Sequence, residues 1–104
     1  MSKAVRYGDM VFLSGQVPDD SSADVAGQTQ QVLAKIEALL AEAGTDKSKI
    51  LSAQIWLADI GTFEQMNAVW DAWVVPGDPP ARATVEAKLA NSAFKVEIMV
   101  VAAR

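Results

Sequence analysis

The amino-acid sequence predicts an α+β fold of order ββαβαββ, with two helices packed on one face of a sheet. Three observations predict it. Two segments repeat apolar residues at the threes and fours of a helix. The remaining apolar segments are short, and alternate or run apolar between turn residues, as strands do. Helices interrupting strands in this order form one layer over a sheet, an α+β sandwich.

Met10 to Gly15 is a short apolar run bounded by Gly8-Asp9 and Gly15, and reads as a strand. Val5-Arg6-Tyr7 pairs with it as a hairpin across Gly8-Asp9. Asp19-Asp20-Ser21-Ser22 is a polar loop. A helix follows, from about Asp24 to Ala43, on the stripe Val25, Val32, Leu33, Ile36, Leu39, Leu40 and Ala43. Ser22 or Asp24 caps its start, and Gly44 suits a left-handed stop. Ile50 to Leu57 is a strand, with Leu51, Ala53, Ile55 and Leu57 on one face. Thr62-Phe63-Glu64-Gln65 has the form of a capping box. The second helix runs to about Val74 and ends before Pro76-Gly77-Asp78-Pro79-Pro80. Two strands close the chain, Ala81 to Leu89 and Lys95 to Ala102, with Asn91-Ser92 as the turn between them.

The 104 residues make one domain, 1–104, whose modest core would gain from oligomerisation. The net charge of -4 and the lack of a Lys/Arg cluster argue against a nucleic-acid surface. Without cysteine there are no disulfides, thiolate nucleophiles or Cys-ligated metals. Without histidine the commonest general base and metal ligand is absent. No D-x-D or EF-hand spacing suggests a carboxylate metal site, and no G-x-G-x-x-G or Walker A loop suggests a nucleotide. No cofactor is expected. The N-terminus lacks the apolar run of a signal peptide, and no stretch approaches the roughly 20 apolar residues of a membrane span. The expected setting is cytoplasmic.

Strand alternation divides the sheet into two faces. Val11, Leu13, Leu51, Ala53, Ile55, Leu57, Ala83, Val85, Ala87, Val96, Ile98 and Val100 form a uniformly apolar set, expected to meet the helices. The opposite set mixes Met10, Phe12, Trp56, Met99 and Val101 with Ser14, Ser52, Gln54, Arg82, Thr84, Glu86 and Glu97. An apolar patch of that kind marks an interface, so the back of the sheet is expected to pack on other copies of the chain.

Charges on such a face must be paired or must line a cavity. Arg82 and Glu86 stand about 13 Å apart, at ~3.3 Å per residue, so they do not pair with each other. Arg82 is either half of an interface salt bridge or the anchor of a bound carboxylate, whose two oxygens its planar fork matches. Glu97 is either a bridge partner or a carboxylate that exchanges protons with water. With the last two strands in a hairpin, Glu86 falls opposite Glu97. Ser14 is a turn residue or a hydroxyl donor to a ligand, but no triad nucleophile, since no histidine activates it. Asn67 is an exposed amide or a site residue beside an apolar stripe. Trp56, Trp70 and Trp73 read as core or interface residues, because no basic residues interleave them.

"VFLSGQVP" at Val11 to Pro18, "AGTDKSKI" before the middle strand, "FEQMNAVWDAW" in the second helix, "PPARATVE" and the final "KVEIMVVAAR" follow one another in a telling order. Together they resemble the RidA/YjgF/YER057c/UK114 family of reactive-intermediate deaminases, over nearly the whole chain from about Ala4. The resemblance implies a chorismate-mutase-like (YjgF-like) sandwich, with two helices on one face of a mixed sheet. It implies a homotrimer whose sheets form an inner β-barrel, with three clefts between subunits. It also implies hydrolysis of 2-imino and 2-enamino acids to 2-keto acids and ammonia. In that scheme Arg82 grips the substrate carboxylate and Glu97 holds the attacking water. Ser14, Gly15 and Asn67 line the cleft. Orienting a water and anchoring a carboxylate require neither histidine nor cysteine.

Two departures stand out. The founding branch carries an N-terminal segment with a cleft-lining tyrosine, ahead of the first strand. This chain is expected to be a short member without it, and Tyr7 does not inherit that role. The family often has cysteine two positions after the motif arginine, where this chain has Thr84. The family's water contact there is made by the backbone, and Thr84 can keep it. Some relatives deaminate other compounds, some are described as ribonucleases, and some lack deaminase activity. The expected function is an enamine/imine deaminase, a hydrolase acting on C=N bonds. The alternative is a non-catalytic trimer of the same family that binds a small carboxylate or regulates. The expected partners are a carboxylate-bearing imine, enamine or keto acid and further copies of the chain, with no nucleic acid and no membrane.

Overall fold

A two-residue turn at Gly8-Asp9 opens the fold in the computed structural model, which describes residues 1–104. It joins β1 (Ala4–Tyr7) to β2 (Met10–Leu13) in an antiparallel hairpin. Gly8 sits at φ 57, the left-handed backbone that a glycine in the first central position supplies. Helix α1 (Val25–Glu42) starts at Asp24, whose side chain accepts from the Gly27 N–H at 2.8 Å. It ends at Gly44, φ 80, where the N–H of Gly44 donates to the carbonyl of Ala41 and that of Thr45 to the carbonyl of Leu40. Those two bonds are a Schellman stop, so both helix ends are written in the sequence as read.

β3 (Ile50–Leu57) follows, and then α2 (Phe63–Trp73). The expected capping box at Thr62 does not form. Thr62 Oγ1 instead donates to the carbonyl of Asp59, and Asp59 Oδ1 caps a 3₁₀ turn over Ile60–Thr62 by accepting from Gly61 N–H at 2.8 Å. The tighter turn takes up the first donors, so the helix enters without Thr62 as its cap. β4 (Ala81–Glu86) and β5 (Val96–Ala103) complete the chain.

The sheet has the order β1-β2-β5-β3-β4. β3 and β4 are parallel and the other pairs antiparallel, so the sheet is mixed. The expected hairpin between the last two strands is absent, because β3 lies between them. A turn does form at Asn91, whose Oδ1 accepts from Ala93 N–H at 2.8 Å. It belongs to a connection, and β4 ends at Glu86 rather than Leu89. Buried Gln28 ties that connection down. Its Nε2 donates to the carbonyls of Ser21, Ala23 and Ala93, and its Oε1 accepts from the Lys95 N–H at 2.8 Å.

Both helices cover one face. Val32, Leu33, Ile36 and Leu40 of α1 and Met66 and Trp70 of α2 bury against Val11, Ile55, Leu57, Ile98 and Val100. Each such side chain contributes about 1.5–3 kcal/mol of burial. The predicted alternation needs two corrections. Leu51 is not in the core: it is the extra residue of a bulge between Ile50 and Ser52, and is 49% exposed. Ile50 takes the inward place.

The second correction inverts β4. In its parallel register Arg82 lies beside Ala53, Thr84 beside Ile55 and Glu86 beside Leu57, all inward positions of β3. Arg82, Thr84 and Glu86 therefore share the helix side of the sheet, and Ala83 and Val85 share the back with Gln54 and Trp56. β4 is an edge strand with α2 over part of its helix side, so the long side chains of Arg82 and Glu86 reach past the helix to water, while the Thr84 hydroxyl stays buried. Its small and apolar residues belong to the back, where Val85 is 45% exposed. The back thus carries a continuous row through Val5, Phe12 and Val101, with Met99, Trp56 and Val85 beside it.

Candidate functional site

Two clusters of the predicted site residues form, on opposite faces of the sheet. The first stands at the end of β2. The bridge between Gln16 and Ile98, made by backbone bonds of 2.8 and 3.1 Å, continues the pairing with β5. From Phe12 to Gln16 is four steps, and from its partner Val101 to Ile98 is three, so the Ser14-Gly15 stretch carries one extra residue. The bulge turns Gly15 against Glu97, which faces the back of the sheet beside Trp56. A Cβ on Gly15 would overlap Glu97 Oε2 and come within 3.0 Å of its Cδ. Glycine is needed here for that close approach, since its φ is not in the left-handed region.

Ser14 is held in place by its neighbours. Its Oγ donates to the carbonyl of Lys3 at 3.3 Å and accepts from Gln16 Nε2 at 3.1 Å. Gln16, buried, donates also to the Ser14 carbonyl. One lone pair of the serine hydroxyl is left. Glu97 is half-buried and has no ion pair within the chain.

The second cluster is built by β4 and α2. Phe63, Asn67 and Trp70 stand at i, i+4 and i+7 on one face of α2. The Arg82 guanidinium carbon lies 5.5 Å from the Phe63 ring centroid and 5.4 Å from that of Trp70. Each contact adds about 0.5–2 kcal/mol and orients the cation. Arg82 Nη1 donates to Asn67 Oδ1 at 2.6 Å. No carboxylate of the chain pairs with Arg82. Thr84, two residues along the same face, has a buried Oγ1 without a hydrogen-bond partner.

Arg82 and Asn67 thus meet, as do Gly15 and Glu97, with Ser14 next to Gly15 in the chain, but Arg82 and Glu97 do not. They lie on opposite faces, on strands separated by β3. Glu86 is not opposite Glu97. Its Oε2 accepts from the Ile60 N–H at 3.0 Å and steadies the entry to α2. The largest concavity, about 700 Å³, lies under the β4–β5 connection and includes Glu86, but neither Arg82 nor Glu97. A second, of about 390 Å³, lies over the back of the sheet between Gln54, Ala83 and Met99. The aromatic cradle of Arg82 was not foreseen, although the spacing of Phe63, Asn67 and Trp70 on "FEQMNAVWDAW" carried the signal. Gln16 fell inside the "SGQ" motif without a role, and Gln28 left no signal, because a buried glutamine reads as a surface residue until its partners are known.

Two helices on one side of this mixed five-stranded sheet, with a motif arginine at its edge, define a YjgF-type α+β protein. The family model described as Endoribonuclease L-PSP matches residues 1–104, and the chain belongs to that family. It is 47% identical over 102 residues to a RutC family protein of Haemophilus ducreyi, covering 98% of this chain and 87% of that protein. It is 47% identical over 102 residues to the RutC family protein YoaB of Escherichia coli K12, covering 98% of this chain and 89% of YoaB. The fold is similar to the crystal structure of a YjgF family member from Neisseria meningitidis, with a TM-score of 0.97 and 48% identity. That match covers all of this chain and 87% of the other. No helix is long and apolar enough to cross a membrane.

Proposed function

We propose that the protein is a trimeric hydrolase of 2-imino and 2-enamino acids, releasing 2-keto acids and ammonia in clefts between subunits. The observation that carries this reading is Arg82. Its guanidinium is oriented by two rings and an amide, has no anionic partner, and keeps most of its N–H donors for one. A carboxylate matches that fork. The imine carbon of such a substrate is electrophilic. Water adds to it as Glu97 takes one of its protons and returns that proton to the nitrogen, giving a carbinolamine. The carbinolamine hydroxyl then passes its proton, again through Glu97, to the amine, which leaves as ammonia as the C=O bond forms. Gly15 leaves room for Glu97, Ser14 beside it offers a free lone pair at the cleft, and Asn67 and Thr84 border Arg82.

Because Arg82 and Glu97 face opposite sides of one sheet, a complete site takes Arg82 from one copy and Glu97 from another. The exposed row of Val5, Phe12 and Met99 on the back of the sheet favours such packing. The test is release of ammonia and keto acid from imines generated in place by an amino-acid oxidase. Arg82→Ala is expected to remove the acceleration. Equal rates with and without the wild-type protein would sink the activity, and equal rates for wild type and Arg82→Ala would sink the role.

The Arg82 cluster is complete without Glu97, which favours as a second reading a carboxylate-binding trimer without turnover. Stabilisation by a 2-keto acid with no catalysis would support it. The endoribonuclease in the family description is disfavoured by the net charge of -4, which repels phosphate backbones.

A further inference from the structure

Asp71 lies within "FEQMNAVWDAW" but is given no role by the resemblance or by the proposed function. It stands on α2 one turn beyond Asn67, and Asn67 Nδ2 donates to Asp71 Oδ2 at 3.2 Å. Arginine has only donors, so the Asn67 atom that meets Arg82 must be its carbonyl oxygen. The amide nitrogen must then point the other way, to a group that accepts. An ionised carboxylate accepts and cannot donate. Asp71 and Arg82 therefore fix the two ends of the Asn67 amide, and reversing it would set donor against donor at Arg82 and acceptor against acceptor at Asp71.

The placement of Asp71 leaves room for a role beyond the helix itself. It lies in the last turn of α2, where a carboxylate meets the negative end of the helix dipole and is mildly unfavourable. The i, i+4 hydrogen bond from Asn67 offsets that cost, so the acid is close to neutral for the helix itself.

We infer that Asp71 is a positioning residue: through the Asn67 amide it holds the Arg82 guanidinium at the angle that presents its free edge to a carboxylate. The part concerning the carboxylate rests on the function proposed above, whereas the orientation of Arg82 does not. In the wild type the guanidinium is expected to rotate slowly about its Cζ–Nε bond, giving resolved Nη signals in nuclear magnetic resonance. The chain has only three arginines, Arg6, Arg82 and Arg104, so an Arg82→Lys spectrum identifies the signals.

The test compares the wild type with Asp71→Ala and Asp71→Asn. Asp71→Ala should average the Arg82 Nη signals and weaken binding of 2-oxobutanoate by about three- to tenfold, with a melting temperature equal to or above that of the wild type. Asp71→Asn, whose own carbonyl can accept from Asn67, should restore both. Unchanged Arg82 signals in Asp71→Ala would overturn the inference whatever the ligand does. So would a fall in melting temperature with changes spread over the whole spectrum, which would mark Asp71 as merely structural. Averaged Arg82 signals in a protein whose wild type binds no 2-oxobutanoate would uphold the positioning role and refute the carboxylate reading alone.

Discussion

Arg82 Nη1 donates to Asn67 Oδ1 across 2.6 Å, joining the edge strand of the sheet to the second helix. Phe63 and Trp70 flank the same guanidinium, so a planar, stacked cation is needed and a point charge does not suffice. Arg82→Lys keeps the charge but loses the fork and the stacking. We expect it to weaken 2-oxobutanoate binding at least tenfold, about 1.4 kcal/mol, by calorimetry. Affinity equal to the wild type would show that charge alone anchors the ligand.

Gly15 and Glu97 give a separate handle on the other cluster. A methyl group on Gly15 meets the mobile end of Glu97 rather than backbone, and the Gly15 backbone is open to any residue. Gly15→Ala should therefore change stability by less than about 1 kcal/mol while swinging the carboxylate aside. Imine hydrolysis should fall at least tenfold in the oxidase-coupled assay. Full activity with an unchanged melting temperature would remove Glu97 from the reaction.

Thr84 carries a buried hydroxyl with no partner in the chain. An unsatisfied buried group of this kind costs about 1–3 kcal/mol, and valine has nearly the same shape. Thr84→Val should stabilise the ligand-free protein by about 1 kcal/mol in thermal or denaturant unfolding. Destabilisation would show that the hydroxyl is already satisfied, for example by bound water.

Phe12, 43% exposed, sits between Val5 and Val101 on the back of the sheet. Phe12→Glu places a charge in that row, where an interface between copies would bury it unpaired. Light scattering should report three copies for the wild type and one for the variant, and imine hydrolysis should fall with assembly. A wild-type monomer would remove the shared-cleft reading.

Much of the architecture was legible because its signals are local. Asp24 and Gly44 bound α1 by capping chemistry confined to a few residues. Gly8 turns the first hairpin for the same kind of reason, and Ile50 to Leu57 forms β3 with the bounds expected. The site was legible only in its membership. "SGQ", "PPAR" and "KVEI" singled out Ser14, Gly15, Arg82 and Glu97 as candidates, but which of them stand together depends on strand order.

The sequence by itself determined the seven main elements, their order, and the apolar stripes that bury the helices, since these follow from period and capping along one segment. Tertiary structure alone decided the face of β4. Alternation says which residues share a side but not which side it is, and only the register with β3 set Arg82 beside Ala53 and under Asn67. It likewise decided that β3 separates β4 from β5, so that Arg82 and Glu97 belong to different faces. Pairing between distant strands is set by the fit of the whole sheet, which no single stretch of the chain encodes.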